Sequence, residues 1–335
     1  MNWEIDRVGR TEELPEQWDA LTADYYQTRE FLSHCQAYNP CRQRYYLCSE
    51  SGSLTAGAVV YTIRLDLFTY RGVTSPVTTQ IIGIPASVSS AGLTGDPALH
   101  GEFLTRILAY EPGLVACLNL DSIPAGSPMF PGRTWPDIVL AHRFSSWEEY
   151  VSALRSDYRR RLMRVMAATS GFEIRRTSCR AFTDDMHRLY LNVFSRSEGK
   201  LERLDAPFFQ NLPASFCLTT YAAEGSVRGW TITARDRDRF SFFLGGQEYA
   251  HDPKTLYLVK LLDIIRTGIG LGASTIDLGQ SAEIPKMRLG GQPREKYMLA
   301  YHHRPLQKSL LRAGMGALSY RKRFPEMHVF RGNGS

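Results

Sequence analysis

The sequence lacks an apolar run long enough to cross a membrane. A membrane-spanning helix needs about 18 or more consecutive, mostly apolar residues, and the 335-residue chain contains no such run. Residues 1–18 are polar and acidic, whereas a secretory leader begins basic and continues apolar. Both observations predict a cytoplasmic protein.

The cysteines lack the spacing of a metal site or of a disulfide framework. The chain has six cysteines, and no two of them form a C-x-x-C pair. His34 beside Cys35, with Cys41 following, suggests a metal cluster, but no second pair of ligands lies at zinc spacing. A chain of this length does not need disulfides to fold. We therefore expect reduced thiols that fill apolar space, and no bound metal.

Two catalytic signatures are also missing. The sequence contains neither the G-x-S-x-G turn that carries the nucleophile of many hydrolases nor a G-x-x-x-x-G-K-[ST] phosphate loop. These absences argue against a serine hydrolase of that type and against a nucleoside triphosphatase.

Length and composition are typical of a globular protein with two domains. A chain of 335 residues exceeds the roughly 250–300 residues that one hydrophobic core supports. Apolar residues make up 43% of the chain and charged residues 22%. Both fractions are ordinary for a folded protein.

Basic residues are in excess, and they cluster. The net charge is +6, and two groups of cations stand out: Arg155, Arg159, Arg160, Arg161 and Arg164, then Arg312, Arg321, Lys322, Arg323 and Arg331. Such clusters attract the phosphates of a nucleic acid or of an anionic cofactor or substrate. The alternative is a solvated helix face without a partner.

The order of predicted elements occurs twice along the chain. In the first copy, two strands around a turn, a third strand, a helix and a fourth strand lie at residues 45–49, 56–67, 80–84, 101–110 and 114–120. The corresponding elements of the second copy lie at residues 216–222, 227–234, 240–244, from about 256, and 272–277. The sequence therefore predicts an α/β fold with two copies of one unit.

Two segments between the copies have distinct patterns. Residues 123–136 are rich in proline and glycine and are predicted to form a connecting loop. Ser145 or Ser146, with a glutamate three residues later, has the spacing of a capping box. Apolar residues then recur at helical spacing up to Val165, and Gly171 follows. One helix of about five turns is predicted there.

The most informative segment is residues 240–291. It contains an aromatic strand, an apolar helix, the strand that ends with Asp277-Leu278-Gly279, and a loop with Lys286 and Gly290. Ligands gather where the loops leave such a sheet. This segment resembles the C-terminal half of the GNAT-type acyltransferases, in particular their Fem-like peptidyltransferases. That group has tandem GNAT-like domains, which corresponds here to residues 1–144, often degenerate, and residues 145–335 with a basic C-terminal tail.

The resemblance implies direct acyl transfer without a catalytic serine or cysteine, so the site needs positioned donors for a developing oxyanion. Lys286 matches the lysine that the group uses at the oxyanion or at the terminal phosphates, and Arg288 is its expected helper. We expect the charge of Lys286 to be solvated, so that its truncation costs little stability. Asp277 is a base, an orienting group or a cap of nearby backbone N–H groups. The expected acceptor contacts are Gln247, Tyr249, His251 and Gln280.

The acyl donor is the open question at this point. Coenzyme-A users of this fold hold the pyrophosphate on a glycine-rich loop before the helix, but residues 250–255 contain no glycine and carry Asp252. A glycine-and-hydroxyl loop in the first copy, with Ser90, Gly92 and Gly95, keeps coenzyme A open as a donor.

The Fem-like resemblance implies an aminoacyl-tRNA donor, gripped by arginines such as Arg159, Arg160 and Arg164. No tightly bound cofactor is expected. The first reading is thus an acyltransferase that transfers an aminoacyl group from tRNA to a small-molecule or peptide acceptor. The alternatives are an acyl-coenzyme-A N-acyltransferase and a non-catalytic binding protein on the same scaffold.

Overall fold

The computed structural model describes residues 3–72, 75–141 and 144–331. Its strands are β1 Trp3–Val8, β2 Gln43–Glu50, β3 Ser53–Asp66, β4 Pro76–Ile82, β5 Leu93–Gly95, β6 Leu114–Leu120, β7 Phe130–Ala141, β8 Glu173–Ser178, β9 Phe216–Ala223, β10 Ser226–Asp236, β11 Arg239–Gln247, β12 Thr275–Asp277 and β13 Gln292–His302. Its α-helices are α1 Gln17–Ala20, α2 Arg29–Tyr38, α3 His100–Leu108, α4 Trp147–Ala153, α5 Ser156–Thr169, α6 Asp184–Arg196, α7 Ala206–Gln210, α8 Pro253–Gly270, α9 Glu283–Met287 and α10 Pro305–Leu318.

The chain forms two compact units, each assembled from separate segments. Unit 1 contains residues 1–135, 198–208 and 295–321, and unit 2 contains residues 136–197, 209–294 and 322–335. The predicted division between residues 144 and 145 separates the two copies in the sequence, and it remains a prediction. The compact units differ from it because strands and loops of one copy contribute to the other unit.

Unit 1 contains a mixed sheet with the strand order β1-β2-β3-β4-β6-β13, and β5 pairs with β3. Neighbouring strands are antiparallel except β4 and β6, which are parallel. A parallel pair needs a long crossover connection, usually a helix, and α3 lies in the connection between β4 and β6. Its apolar residues Phe103, Leu104 and Ile107 are fully buried in a core that includes Val115 and Cys117 of β6.

Unit 2 repeats this arrangement with the order β8-β9-β10-β11-β12, followed by residues 139–141 of β7. Here β11 and β12 are the parallel pair, and α8 connects them. The buried face of α8, with Leu261, Leu262 and Ile265, packs into one core with Phe240 and Ile276 of the two strands.

The hairpins confirm the repeat at the level of single residues. Ser51 and Gly52 form the turn between β2 and β3, with φ of 53° and 80°. Glu224 and Gly225 form the turn between β9 and β10, with φ of 51° and 73°. A turn in which both central residues have positive φ matches the right-handed twist of the strands in a two-residue hairpin. The predicted mixed α/β fold with two copies is confirmed.

Two predictions for the region between the copies were wrong. The segment 123–136 is not entirely a loop, because β7 begins at Phe130. The predicted long helix is interrupted between α4 and α5, where Leu154 pairs with Phe330 in an isolated β-bridge. The N–H of Arg155 donates to the carbonyl of Val329 at 2.9 Å. Pairing with a distant segment of unit 2 therefore replaces the helical hydrogen bonds at this point.

Candidate active site

Strands β11 and β12 of unit 2 stay paired over three residues only. Arg239 pairs with Thr275 and Ser241 with Asp277, after which β11 continues to Gln247 while β12 ends. A register shift in the pairing of β10 with β11 leaves Phe243 as the extra residue of a β-bulge, which bends a strand locally. The ladder between the two strands therefore ends at Ser241 and Asp277. We call the region between residues 243–249 and residues 278–286 the unit 2 cleft.

Asp277 ends β12 with both carboxylate oxygens engaged. Oδ1 accepts a hydrogen bond from the N–H of Gly279 at 2.7 Å, and Oδ2 forms an ion pair with Arg239. The residue is 4% exposed. This geometry favours the orienting and capping roles of Asp277 over that of a free base.

The expectation that Lys286 lies on a solvated loop was wrong. It belongs to α9 and is 1% exposed. Its ammonium donates to the backbone carbonyls of Gly279, Gln280 and Ser281 at 3.0, 2.8 and 2.8 Å. The turn after β12 therefore encloses the charge, which sequence spacing alone does not indicate.

The charge of Lys286 persists at neutral pH. Burial lowers the pKa of Lys286 to about 8, and the nearby carboxylates of Asp277, Glu283 and Asp137 oppose this shift. At that pKa the ammonium predominates at pH 7, and three carbonyl oxygens accept hydrogen bonds from it.

The turn held by Lys286 has an unusual backbone. Gly279, Ser281 and Ala282 all have positive φ, of 73°, 60° and 46°. Positive φ is costly for residues with a Cβ and persists only where the surroundings enforce it. We infer that the Lys286 ammonium stabilises this conformation, since it binds three successive carbonyls of the same turn.

Residues from three elements meet at the unit 2 cleft. Burial raises the pKa of Tyr257 in α8, and the charges of Tyr249 and Glu283 raise it further. Glu283 forms an ion pair with Lys322 at 2.8 Å. The guanidinium of Arg196 lies over the Tyr249 ring, 4.1 Å from its centre. Tyr257, Glu283 and Arg196 were missed, because their sequence contexts carry no motif.

The predicted acceptor contacts are distributed unevenly. Gln247 is buried, and its Nε2 donates to the carbonyl of Pro253 at 3.4 Å. Tyr249 and Gln280 are partly exposed at the cleft. His251 is exposed and contacts Glu248 at 3.1 Å. The contact with Glu248 explains the position of His251 without an acceptor.

A second buried lysine, Lys260, also escaped the sequence analysis. It is 3% exposed, and its ammonium donates to the carbonyl of Gly246 in β11 at 3.2 Å. Burial lowers the pKa of Lys260 to about 7. Its position in the sequence between Val259 and Leu261, within the apolar face of α8, could have indicated that Lys260 is buried.

Helix α8 begins at Pro253, three residues before the predicted start near residue 256. Asp252 is the N-cap residue, and its carboxylate accepts the N–H of Thr255 at 3.2 Å. Hydrogen bonds from the Thr255 side chain and, second, from its backbone N–H lower the pKa of Asp252. A carboxylate therefore lies at the helix end where other proteins bind phosphate.

The arginines of α5 are exposed or partly exposed. Arg160 and Arg164 are exposed, Arg159 is half-buried, and Arg160 forms an exposed ion pair with Asp157. Arg288 follows α9 and is exposed as well.

The glycines of the possible donor loop in unit 1 are explained by close packing. A Cβ on Gly92 would lie 2.2 Å from the backbone nitrogen of Gly83, and one on Gly95 would lie 2.2 Å from the carbonyl oxygen of Thr55. The hydroxyl of Ser90 donates to the Asp24 carboxylate at 2.8 Å. Leu93–Gly95 form β5, and residues 96–99 separate this strand from α3, so this geometry does not support a phosphate-binding role.

The described residues contain neither a metal-binding cluster nor a helix that could span a membrane. No group of three or more histidine, cysteine or acidic side chains there is arranged to hold a metal ion. Within residues 3–72, 75–141 and 144–331, no helix combines the length and apolar character needed to cross a bilayer.

No protein-family model matches the chain, and no curated protein sequence matches it. Solved structures do resemble it. The structure of L-PGS from Bacillus licheniformis is 12% identical, with 92% of this chain and 98% of that chain covered and a TM-score of 0.54. FemX is 10% identical, with 92% and 100% covered and a TM-score of 0.54.

A tandem GNAT protein from the clavulanic acid biosynthesis pathway is 10% identical, with 90% and 99% covered and a TM-score of 0.52. At these identities the likeness concerns the fold. It confirms the predicted Fem-like, tandem GNAT fold of this chain.

Proposed function

We propose that the chain is an acyltransferase that forms an amide or ester bond at the unit 2 cleft, with aminoacyl-tRNA as the donor. The tandem GNAT fold shared with FemX and L-PGS supports acyl transfer. The acceptor is a small molecule or peptide with an amine or hydroxyl group.

The start of α8 is the observation that favours one class of donor over the other. Asp252 places a negative charge on the first helical N–H groups, and Pro253 lacks an N–H altogether. A pyrophosphate there would meet a carboxylate in place of backbone donors, and electrostatic repulsion would weaken its binding. This observation favours a donor that is recognised elsewhere through its phosphates.

The reaction follows from the chemistry of an aminoacyl ester. The acceptor amine or hydroxyl attacks the ester carbonyl, and a C–N or C–O bond forms. The ester bond to the tRNA ribose then breaks, and the proton lost by the acceptor is delivered to the leaving ribose oxygen. Neither oxidant nor reductant is needed.

Within the cleft, Lys286 and Asp277 act as positioning residues. Lys286 binds the carbonyls of the turn that follows β12, and Asp277 caps the same turn at Gly279. The turn forms one side of the cleft, and its conformation determines where donor and acceptor meet. Tyr249, Tyr257 and Gln280 are the proposed substrate contacts, and exposed Arg288 is the proposed phosphate contact at its edge.

The arginines of α5 are the proposed RNA contacts in unit 2. Each phosphate neutralised by a cation adds about 0.7–0.9 to the slope of log affinity against log salt. Arg160→Gln combined with Arg164→Gln should therefore weaken binding of aminoacyl-tRNA and reduce that slope by about 1.4–1.8. A filter-binding titration at several salt concentrations measures both.

Arg235→Gln combined with Arg237→Gln is the matched control, since it removes two exposed charges from the end of β10 and from the turn that follows it. Equal losses in the two double variants would assign the effect to net charge and contradict a specific RNA surface on α5.

An acyl-coenzyme-A donor is the second candidate. The tandem GNAT protein of clavulanic acid biosynthesis, whose structure was solved without AcCoA, has a similar fold. Calorimetry with acetyl-coenzyme A distinguishes the two: micromolar binding lost in variants of residues 251–255 would favour this donor. Binding without transfer from either donor would favour a non-catalytic protein.

A further inference from the structure

Helix α10 of unit 1 has two apolar sides. Its inner side, with Leu311 and Met315, packs into a small core with Leu114 and Ala300. Its outer side carries Leu306 and Leu310, which are 70% and 64% exposed. Among the described residues these are the two most exposed large hydrophobic side chains. Isolated exposed leucines are common, but two that are one helical turn apart form a continuous apolar surface.

The outer side continues as a narrow ridge along the helix. Leu306, Leu310, Ala313 and Ala317 follow one another at intervals of four, three and four residues. At 3.6 residues per turn, these positions fall within an arc of about 60°. Ala313 and Ala317 are exposed as well. We call these four residues the α10 ridge.

Cations surround the α10 ridge, and acidic residues are absent from this part of the sequence. Residues 296–325 contain seven lysines and arginines and no aspartate or glutamate. Arg304 and Arg312 are exposed. The guanidinium of Arg321 covers Gly316, since a Cβ there would lie 2.4 Å from its Nη2. Near the last turn, Nε of Arg71 donates to the carbonyl of Ala317 at 3.2 Å.

We propose that α10 docks on the surface of an anionic lipid bilayer. Leu306 and Leu310 enter the boundary between headgroups and acyl chains, and Arg304, Arg312 and Arg321 contact the lipid phosphates. An apolar ridge flanked by cations is the pattern of helices that lie in the membrane interface, and basic residues near an anionic surface add to the attraction.

The positive charge around α10, together with its leucines, favours an anionic bilayer over an RNA or a second copy of the helix. An RNA offers phosphates for the arginines but no apolar phase for the leucines. A second copy of α10 would bring two basic segments together without acidic partners, which opposes self-association through this helix. An anionic bilayer satisfies both the leucines and the arginines.

Vesicle sedimentation tests the proposal with the full chain. The probe is a set of vesicles of phosphatidylcholine alone and of phosphatidylcholine with about one third phosphatidylglycerol. We expect binding to the anionic vesicles only, and weaker binding when salt rises from about 0.1 to about 0.5 M, because the Debye length falls below about 5 Å. Leu306→Ser combined with Leu310→Ser should reduce partitioning by about 30–100-fold.

The matched control is Ile123→Ser combined with Met163→Ser, which removes two exposed apolar side chains outside α10. It should bind as the unmodified protein does. Circular dichroism should report folded protein for both double variants, since all four side chains are exposed. The proposal is overturned if the unmodified protein ignores anionic vesicles, if the α10 double variant binds equally well, or if binding does not depend on anionic lipid. A dimer that dissociates in the α10 variant, without vesicle binding, would identify the ridge as a self-association surface instead.

Discussion

Replacing Lys286 by methionine should destabilise unit 2 strongly. Methionine keeps most of the apolar length of the side chain, so packing changes little, but the three carbonyls of the turn lose their shared donor. A hydrogen bond to a charged group contributes about 1.5–3 kcal/mol, and partly exposed carbonyls recover some of this from water. We therefore expect a loss of about 4 kcal/mol in the free energy of unfolding.

Thermal unfolding followed by circular dichroism measures this loss. For a unit of roughly 150–250 residues, 1 kcal/mol corresponds to about 2–4 °C, so the melting temperature should fall by about 8–16 °C. Arg288→Ala is the matched control, because it removes an exposed cation from the same segment, and it should change the melting temperature by no more than about 2 °C. Equal melting temperatures for Lys286→Met and Arg288→Ala would refute the structural role assigned to the ammonium.

Three further outcomes follow from buried groups and close contacts. Burial lowers the pKa of Lys260 from 10.5 to about 7, so unfolding binds a proton between these pH values and the free energy of unfolding rises with pH there. Lys260→Met should remove this rise, which amounts to at most about 5 kcal/mol. Denaturant titrations between pH 6 and about 10.5 measure it. Gly95→Ala should lower the melting temperature by several degrees because Gly95 has φ of 85° and no room for a Cβ, whereas Gly9→Ala, in open space, should not. Asp277→Asn should cost about 1–3 kcal/mol in chemical unfolding, since Arg239 loses its partly buried counter-charge, and an unchanged midpoint would show that the ion pair is dispensable.

Much of the fold could be predicted because its signals are local. Leu114–Leu120 is a strand with the predicted bounds, since an apolar run between Gly113 and Asp121 has few alternatives. The two hairpins carry the Ser51-Gly52 and Glu224-Gly225 turns, in each of which a glycine supplies positive φ without a steric cost. Repetition of these local signals at matching intervals then predicted the two copies.

The remaining features depend on contacts between residues far apart in the sequence. The helix break at Leu154 arises from pairing with Phe330, which no local pattern near Leu154 indicates. The burial of Lys286 depends on the positive φ values of Ser281 and Ala282, which sequence preferences argue against. The acidic N-cap at Asp252, by contrast, needs only its own helix start. The aspartate before Pro253 was therefore a local signal, which the predicted start near residue 256 did not use.

Transfer from a labelled donor tests the central claim most directly. Total tRNA charged with radiolabelled amino acids is incubated with the protein and a small-molecule or peptide fraction of cell extract, in parallel with labelled acetyl-coenzyme A. We expect label to pass from tRNA into ribonuclease-resistant amide or ester products. Ribonuclease treatment of the donor beforehand should abolish this transfer, and acetyl-coenzyme A should give no product. Product formed from acetyl-coenzyme A, with none from charged tRNA, would contradict the central claim.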